Sequence, residues 1–429
     1  MERNLSASPT VVSRQRTIRL MVVVSLIWFA SSWLQPPIGP EPVNGAFRIR
    51  AGPVTVAPPM VLTGDSPHYL IMVNSLIEDG DFDVSNNYEQ AQAGDWDTGA
   101  RFRSSSLDRH TDQSSDGKQY LTHPPMMPLI LAAFVFPLRG TAWVEPACIW
   151  VVMALTLLAV WVFAFKTGDH GFWAGLLALA TPLWFYARDI WTEPWAMAAW
   201  VGLLFVRSFW GLAALALLGT MIRYPFLVVV VAMAGVSAWE GDRRRAWALS
   251  GGGAVGLLLS VGMAQWIFRD VGHFSLLHMG VEHSASGGMS QVIAPFGLPF
   301  RGMVGLLFDP EDGLLPFFPY LVWGFPRLVS GFRRYLPVLA LYLFYSSYQV
   351  WHAGAGFSTR FLVPALPALI LAVRESRPRS RLFWLAVLWG LGWGFFSGLL
   401  AFWTADRTMW EAVIDFSRYL SHVVTDHLT

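Results

Sequence analysis

The sequence predicts an all-α polytopic membrane protein, with about eleven transmembrane helices and a large first external loop carrying interfacial helices. Three observations predict this. Hydrophobic residues make up 54% of the chain and charged residues only 14%, against the ~25% charged share of a water-soluble domain. The apolar residues fall in blocks of about 15–25, the length that crosses ~30 Å of hydrocarbon as a helix. Lipid offers backbone polar groups no outside partner, so such blocks close their hydrogen bonds internally. Finally, alternating the blocks across a bilayer gathers the Arg and Lys residues on one side.

Taken in order, residues 1–19 read as a cytoplasmic tail and Leu20–Leu34 as the first span. Arg14, Arg16 and Arg19 precede that span, and no small-x-small site separates it from Gln35-Pro36-Pro37, so it reads as an uncleaved signal-anchor. The first external loop then occupies 35–141, within a transmembrane domain of 20–404. Inside the loop, 66–79 reads as a helix. Pro67 suits its first position, Ser66 caps it and Gly80 stops it. Tyr69, Met72, Val73 and Leu76 recur at helical spacing, so one face is expected to sink into the membrane surface. The Ser/Asp/Gly-rich run 94–118 reads as a mobile loop. Segment 125–139 is short and Pro-loaded at its start. Counted as a span it would invert every later loop, so it is placed as a second interfacial helix.

Later spans are expected near 142–165, 171–188, 193–206, 209–222, 224–239, 246–267, 314–330, 335–350, 361–373 and 382–404, with 405–429 an external tail. With the amino terminus inside, Lys166, Arg207, Arg243 to Arg245, Arg327, Arg333, Arg334, Arg374, Arg377, Arg379 and Arg381 are cytoplasmic. Asp65, Glu78, His123, Asp189, Glu193, the histidines at 273, 278 and 283, Asp309, Glu311, Asp312 and Arg360 face the other side.

Several function classes drop out. The net charge is +1 and no basic cluster carries interleaved aromatics, which argues against a nucleic-acid partner. The single Cys148, in an apolar run, excludes an intramolecular disulfide and reads as a packing residue. There is no phosphate-cradling glycine loop, dinucleotide fingerprint or nucleophile elbow. His273, His278 and His283 recur at five-residue steps, which fit neither one helix face nor zinc spacing.

Asp65 leads the candidates for chemistry. With Ser66 as the cap, its carboxylate stands just outside the helix, where the dipole lowers its proton affinity and burial raises it. Arg360 lies where a span meets the external interface, and arginine pairs bidentately with phosphate; the ordinary alternative is a snorkelling side chain. Arg223, between two short apolar runs, could grip phosphate or pair with an acid. Asp189 and Glu193 are four apart and share a face if the helix continues, although Pro194 favours a pre-helix Glu193. They are acids for a divalent ion or substrate hydroxyls, or else an interfacial pair contacting Arg188. His123 opens the second interfacial helix as a substrate contact or a plain turn residue.

These residues resemble a family. Gly64-Asp65-Ser66-Pro67-His68-Tyr69 after the first span, with His123-Pro124-Pro125 before a short helix, resembles membrane glycosyltransferases of the GT-C fold. The likeness is to protein O-mannosyltransferases and lipid A aminoarabinose transferases. Tyr186 to Glu193, Gly305 to Pro316, and Trp351-His352-Ala353-Gly354 with Arg360 to Pro364 resemble their later external loops. The family often carries Asp-Glu where this chain has Asp65-Ser66. The resemblance implies an inverting transfer of a hexosyl or pentosyl group from a polyprenyl-phosphate donor to an external acceptor, which is a protein, a lipid or an envelope glycan. It implies a bacterial inner membrane with the site facing the periplasm. Asp65, Asp189 and Glu193 would be the catalytic acids, with Asp65 the general base. His68, Tyr69, His123, Arg223, Trp351, His352 and Arg360 would bind substrate. No cofactor is certain and a divalent metal is left open. Two rivals stand beside this reading, a lipid or sugar transporter and a non-catalytic assembly factor. A transporter is expected to carry midplane charges and paired repeats, and no fixed-period repeat is visible.

Overall fold

The apolar blocks close their backbone hydrogen bonds as helices, and the chain is mostly helical. The computed structural model describes residues 11–35, 49–51, 54–61, 64–93, 109–113, 117–268, 297–348, 351, 358–399 and 414. Helix α1 (Val11–Ser32) leads into a small antiparallel sheet of β1 (Leu34–Gln35), β2 (Ile49–Ala51) and β3 (Val54–Val56), in the order β1-β3-β2. Glu145 holds the next stretch in place, its Oε1 accepting from the Val61 amide at 2.7 Å.

Helix α2 (Ser66–Asn74) continues as a π turn to Asp79 and stops at Gly80, whose φ of 76° is open to glycine. The expected boundaries hold, but two expectations about this helix fail. Every residue of α2 is buried, so it is not half sunk at a surface. Leu70, Ile71 and Val73 pack instead with Leu131 and Val135 of α4 (Met126–Val135) and with Ile149 and Val152 of α5 (Val144–Thr167). Nor does Ser66 cap the helix, because its hydroxyl donates to the Ile190 carbonyl at 3.2 Å. Between α2 and α4 lie α3 (Ser85–Ala93) and a hairpin of β4 (Thr111–Gln113) and β5 (Gln119–Leu121), with Thr111 opposite Leu121. Part of the stretch expected to be a mobile loop is therefore ordered strand; residues 94–108 lie outside the described set.

Among the described residues, three helices are long and apolar enough to cross a membrane: α5, α11 (Arg243–Phe268, by its stretch to Ile267) and α17 (Arg381–Leu399). The surface of α11 explains why. Trp247 and Trp266 are each 71% exposed and Leu258 70%, an outward face that water would not tolerate. At 1.5 Å per residue the two tryptophans stand about 28 Å apart, close to the hydrocarbon thickness between two interfacial belts. The opposite face carries Gly252 and Gly256. Added Cβ atoms there would collide with the Ala213 and Leu217 backbone of α9 (Phe209–Ile222), so small residues four apart permit this close crossing.

Helices α8 (Thr192–Phe205), α9 and α10 (Phe226–Trp239) form close to the expected limits, as does α15 (Phe332–Ser346). Other expected spans are interrupted. The 171–188 stretch splits into α6 (Phe172–Leu179) and α7 (Leu183–Ala187) around Pro182. The 314–330 stretch is not one helix but α13 (Leu314–Phe317), a 3₁₀ turn at Pro319–Gly324, and α14 (Phe325–Ser330). Prolines lack the N–H that would carry a helix through. An unforeseen α12 (Phe300–Phe308) precedes them, and the last buried stretch opens as a 3₁₀ turn at Arg360–Ala365 before α16 (Leu366–Ser376). Of the 405–429 tail, only Ile414 is described.

Candidate functional site

The bond from Ser66 to the Ile190 carbonyl ties the start of α2 to the segment entering α8. That contact sets Asp65 beside the first turn of α8, where Glu193 sits. Arg223 follows the last turn of α9, and Arg360 opens its 3₁₀ turn against the same place. Thr359 fixes this turn, its Oγ1 lying 2.6 Å from the Asp312 carbonyl.

The four charged side chains form a line. Asp65 Oδ2 accepts from Arg360 Nη1 at 3.1 Å. Glu193 Oε1 lies 3.0 Å from Arg360 Nε and 2.9 Å from Arg223 Nη1. Arg223 also donates to Tyr345 Oη at 3.1 Å and to Thr192 Oγ1 at 2.8 Å. Both guanidinium groups rest on aromatic faces, Arg360 over Trp191 at 4.7 Å and Arg223 over Phe361 at 5.4 Å. Glu193 is 1% exposed and both arginines are buried, whereas the Asp65 side chain is 19% exposed. The line runs from a partly open carboxylate into a dry interior.

Two acids balance two arginines in charge but not in hydrogen bonds. The two arginine contacts of Glu193 Oε1 have ion-pair distances without hydrogen-bond alignment, its Oε2 accepts from Thr192 Oγ1 at 3.3 Å, and Arg223 Nη2 and Arg360 Nε make no hydrogen bond. Buried N–H groups of this kind favour an added acceptor, such as a phosphate oxygen.

Three imidazoles crowd the open end. His68 stacks on His110 at 3.8 Å between centroids, and His110 Nδ1 lies 3.1 Å from His123 Nε2. His123 Nε2 is 3.9 Å from Asp65 Oδ1, and the Tyr69 ring is 5.1 Å from that of His123. Burial would raise the proton affinity of Asp65, but Arg360, His123, His110 and His68 together hold its carboxyl well below the usual range. Burial, reinforced by His110 and His123, pushes His68 down to about 2, so it stays neutral and shares a 2.5 Å hydrogen bond with Tyr88 Oη. Asp65, His110 and His123 each offer one ligand atom, all within 4.8 Å of one another.

Asp65, Glu193, Arg223, Arg360, His68, Tyr69 and His123 thus come together. The structure places other expected site residues differently. Asp189 is fully buried, and its Oδ1 accepts from the next amide, that of Ile190, at 2.8 Å. Trp191 between the two acids is extended, with φ −115° and ψ 147°, so Asp189 and Glu193 share no helix face. Of the acid pair expected to contact Arg188, Asp189 interacts with it electrostatically, whereas Glu193 faces Arg223 and Arg360. Arg188 donates to the carbonyls of Leu34, Gly398 and Leu399, joining the ends of α1 and α17. The Trp351 indole packs on Gly305 of α12. His352 and the histidines at 273, 278 and 283 lie outside the described residues. Sequence reasoning missed His110, Thr192 and Tyr345. His110 carried no signal beyond its lying thirteen residues before His123; only the hairpin joins them.

The loop entering α13 carries a separate titrating group. Asp309 Oδ1 accepts from the amides of Glu311 and Asp312, folding three acids together. Burial first, then Asp309 and Glu311, push the Asp312 carboxyl up to about 7 from 3.8. The folded state therefore holds this proton more tightly than the unfolded chain does. The resulting stability is fully present below about 3.8 and is lost as pH rises through about 7. Thermal unfolding in detergent between pH 5 and 8 should show this slope, and Asp312→Asn should flatten it; an unchanged slope in the variant would remove Asp312 as its source.

An apolar cavity of about 460 Å³ lies along α15, with Leu314, Phe325, Tyr335, Tyr342, Leu362 and Leu369 among its walls. Leu362 shares the 3₁₀ turn of Arg360, and Tyr342 lies one helical turn from Tyr345. Comparison with family models, with curated proteins and with solved structures found no match.

Proposed function

We propose that this chain is a multi-pass, GT-C-like membrane glycosyltransferase that moves a sugar from a polyprenyl-phosphate donor to an acceptor at the external face of a bacterial inner membrane. The observation that carries the reading is the 3.1 Å contact between Asp65 and Arg360, at the mouth of a buried pair of arginines. Transfer of this kind needs a carboxylate that receives the acceptor hydroxyl and cations that receive the phosphate. Both are present within one line of side chains.

In this mechanism the acceptor oxygen attacks the anomeric carbon from the side opposite the phosphate. The new C–O bond forms as the bond from carbon to phosphate oxygen breaks, so the configuration inverts. The hydroxyl proton passes toward Asp65, and polyprenyl phosphate leaves with its electron pair toward Arg360 and Arg223. The low proton affinity of Asp65 makes it strongest as an orienting acceptor early in the reaction, with proton release late. The isoprenoid chain is assigned to the apolar cavity along α15, whose wall includes Leu362 of the Arg360 turn, and the exposed apolar face of α11 to lipid.

The test is consumption of radiolabelled polyprenyl-phosphate sugars by purified protein in detergent, with crude acceptor extracts. Asp65→Asn should keep the fold and lose about 10²–10⁴ in turnover, the usual share of a positioned acid or base. Full turnover by that variant would remove Asp65 from the mechanism. Folded wild-type protein that consumes no carrier would turn the reading toward lipid or sugar transport, or assembly.

A further inference from the structure

The imidazole group at the mouth of the site is not needed to explain phosphate binding, and its construction is specific. His110 immediately precedes β4, and His123 is the second residue after β5. Thr122 closes the base of this hairpin, its amide donating to the His110 carbonyl at 3.0 Å and its hydroxyl to the same oxygen at 3.2 Å. Two histidines separated along the chain are thereby brought together, their rings tilted by 50° and His110 Nδ1 3.1 Å from His123 Nε2. Asp65 comes from a third element. Arg360 holds its Oδ2, which turns Oδ1 toward His123 at 3.9 Å.

We infer that Asp65 Oδ1, His110 Nδ1 and His123 Nε2 form a three-ligand site for a zinc-type divalent cation, with the fourth position open. Metal–ligand bonds of 2.0–2.1 Å in a tetrahedron set neighbouring ligand atoms about 3.3 Å apart. The histidine pair already stands near that spacing, with Oδ1 3.9 Å from His123 Nε2 and all three atoms within 4.8 Å of one another. Two imidazoles beside one carboxylate select a zinc-type ion over magnesium or calcium, which take oxygen ligands. The ordinary alternatives are one ring donating to the other and His123 pairing with Oδ1 at 3.9 Å, each of which uses two of the three convergent atoms, whereas a cation uses all three. His68, stacked on His110, fixes that ring's plane. The side chains of His123 and Asp65 are 18% and 19% exposed, which gives the ion a way in.

The binding claim rests on this geometry alone. Its use rests on the proposed transfer: a hydroxyl in the open position would be acidified by the cation beside the carboxylate that orients it.

The experiment uses the full-length protein in detergent, stripped with a chelator and titrated with zinc chloride, then with cobalt chloride. One zinc per chain should bind, magnesium should not displace it, and cobalt should show the visible bands of a tetrahedral site. His110→Ala and His123→Ala should each weaken zinc binding at least about tenfold, while His170→Asn, remote from the site, should not change it. Zinc should also shield His110 and His123 of the wild-type protein from diethyl pyrocarbonate, read by mass spectrometry. That readout decides the matter even if a variant fails to fold. Absence of saturable binding, unchanged affinity in folded variants, or unshielded histidines would each overturn the site. Because nothing here reads sugar transfer, failure of the metal site and failure of the transferase reading are told apart.

Discussion

Glu193→Gln is expected to cost the folded protein about 3–5 kcal/mol, the penalty for removing one partner from a buried ion pair. The side chain is 1% exposed and its Oε1 lies between Arg360 at 3.0 Å and Arg223 at 2.9 Å. Glutamine has the same shape, so no cavity opens and no contact area is lost. What changes is charge: two guanidinium groups would then face each other across a neutral amide in a site that water barely reaches. Asp65 still compensates Arg360, so the excess falls mainly on Arg223, whose remaining partners are the hydroxyls of Tyr345 and Thr192. Thermal unfolding of purified protein, followed by tryptophan fluorescence, measures the loss. A second replacement, Arg223→Met, should recover part of it in the double variant, since removing both partners relieves the unpaired charge. Wild-type stability in Glu193→Gln would mean that the arginines are solvated and the line of charges is not a buried network.

The sequence carried the ends of the helix at 66–79 because two residues with backbone consequences bound it, Pro67 at the start and Gly80 at the stop. It carried Asp65, Glu193, Arg223 and Arg360 because a charge beside apolar chain is conspicuous wherever it lies. What it could not carry was direction. Asp189 and Glu193 looked equivalent by spacing, yet one extended residue, Trp191, turns Glu193 to the arginines and leaves Asp189 on its neighbour's amide. His110 was illegible for the opposite reason. Its partner lies across a hairpin whose short strands, in a polar run, gave no alternating pattern to read. The same limit applies to the interrupted helices. Hydropathy averages over a window, so it registers the stretch 314–330 as apolar and is blind to the prolines that break it into turns.

Arg360→Lys separates charge from shape at the proposed phosphate grip. It is expected to lower the turnover of carrier by about 10²–10³, the range seen when one preorganised donor is removed from a transition-state site. The positive charge survives, so Asp65 and Glu193 keep a countercharge and the fold should hold. The fork does not survive. Arg360 reaches Asp65 through Nη1 and Glu193 through Nε while its plane lies 4.7 Å over Trp191, and one ammonium cannot occupy those positions together. A lysine satisfied by Glu193 would leave Asp65 unanchored, and one satisfied by Asp65 would leave the Glu193 side open; either way a donor to the leaving phosphate is misplaced. If the arginine acts on charge that develops as the phosphate leaves, the loss should appear in kcat and in kcat/KM alike, with little change in KM. A rise in KM alone would mean that Arg360 holds the donor equally in ground and transition states. Turnover within twofold of wild type would reduce Arg360 to a structural partner of the two acids, and the cation facing the leaving group would then have to be Arg223, whose Nη2 makes no hydrogen bond in the resting site.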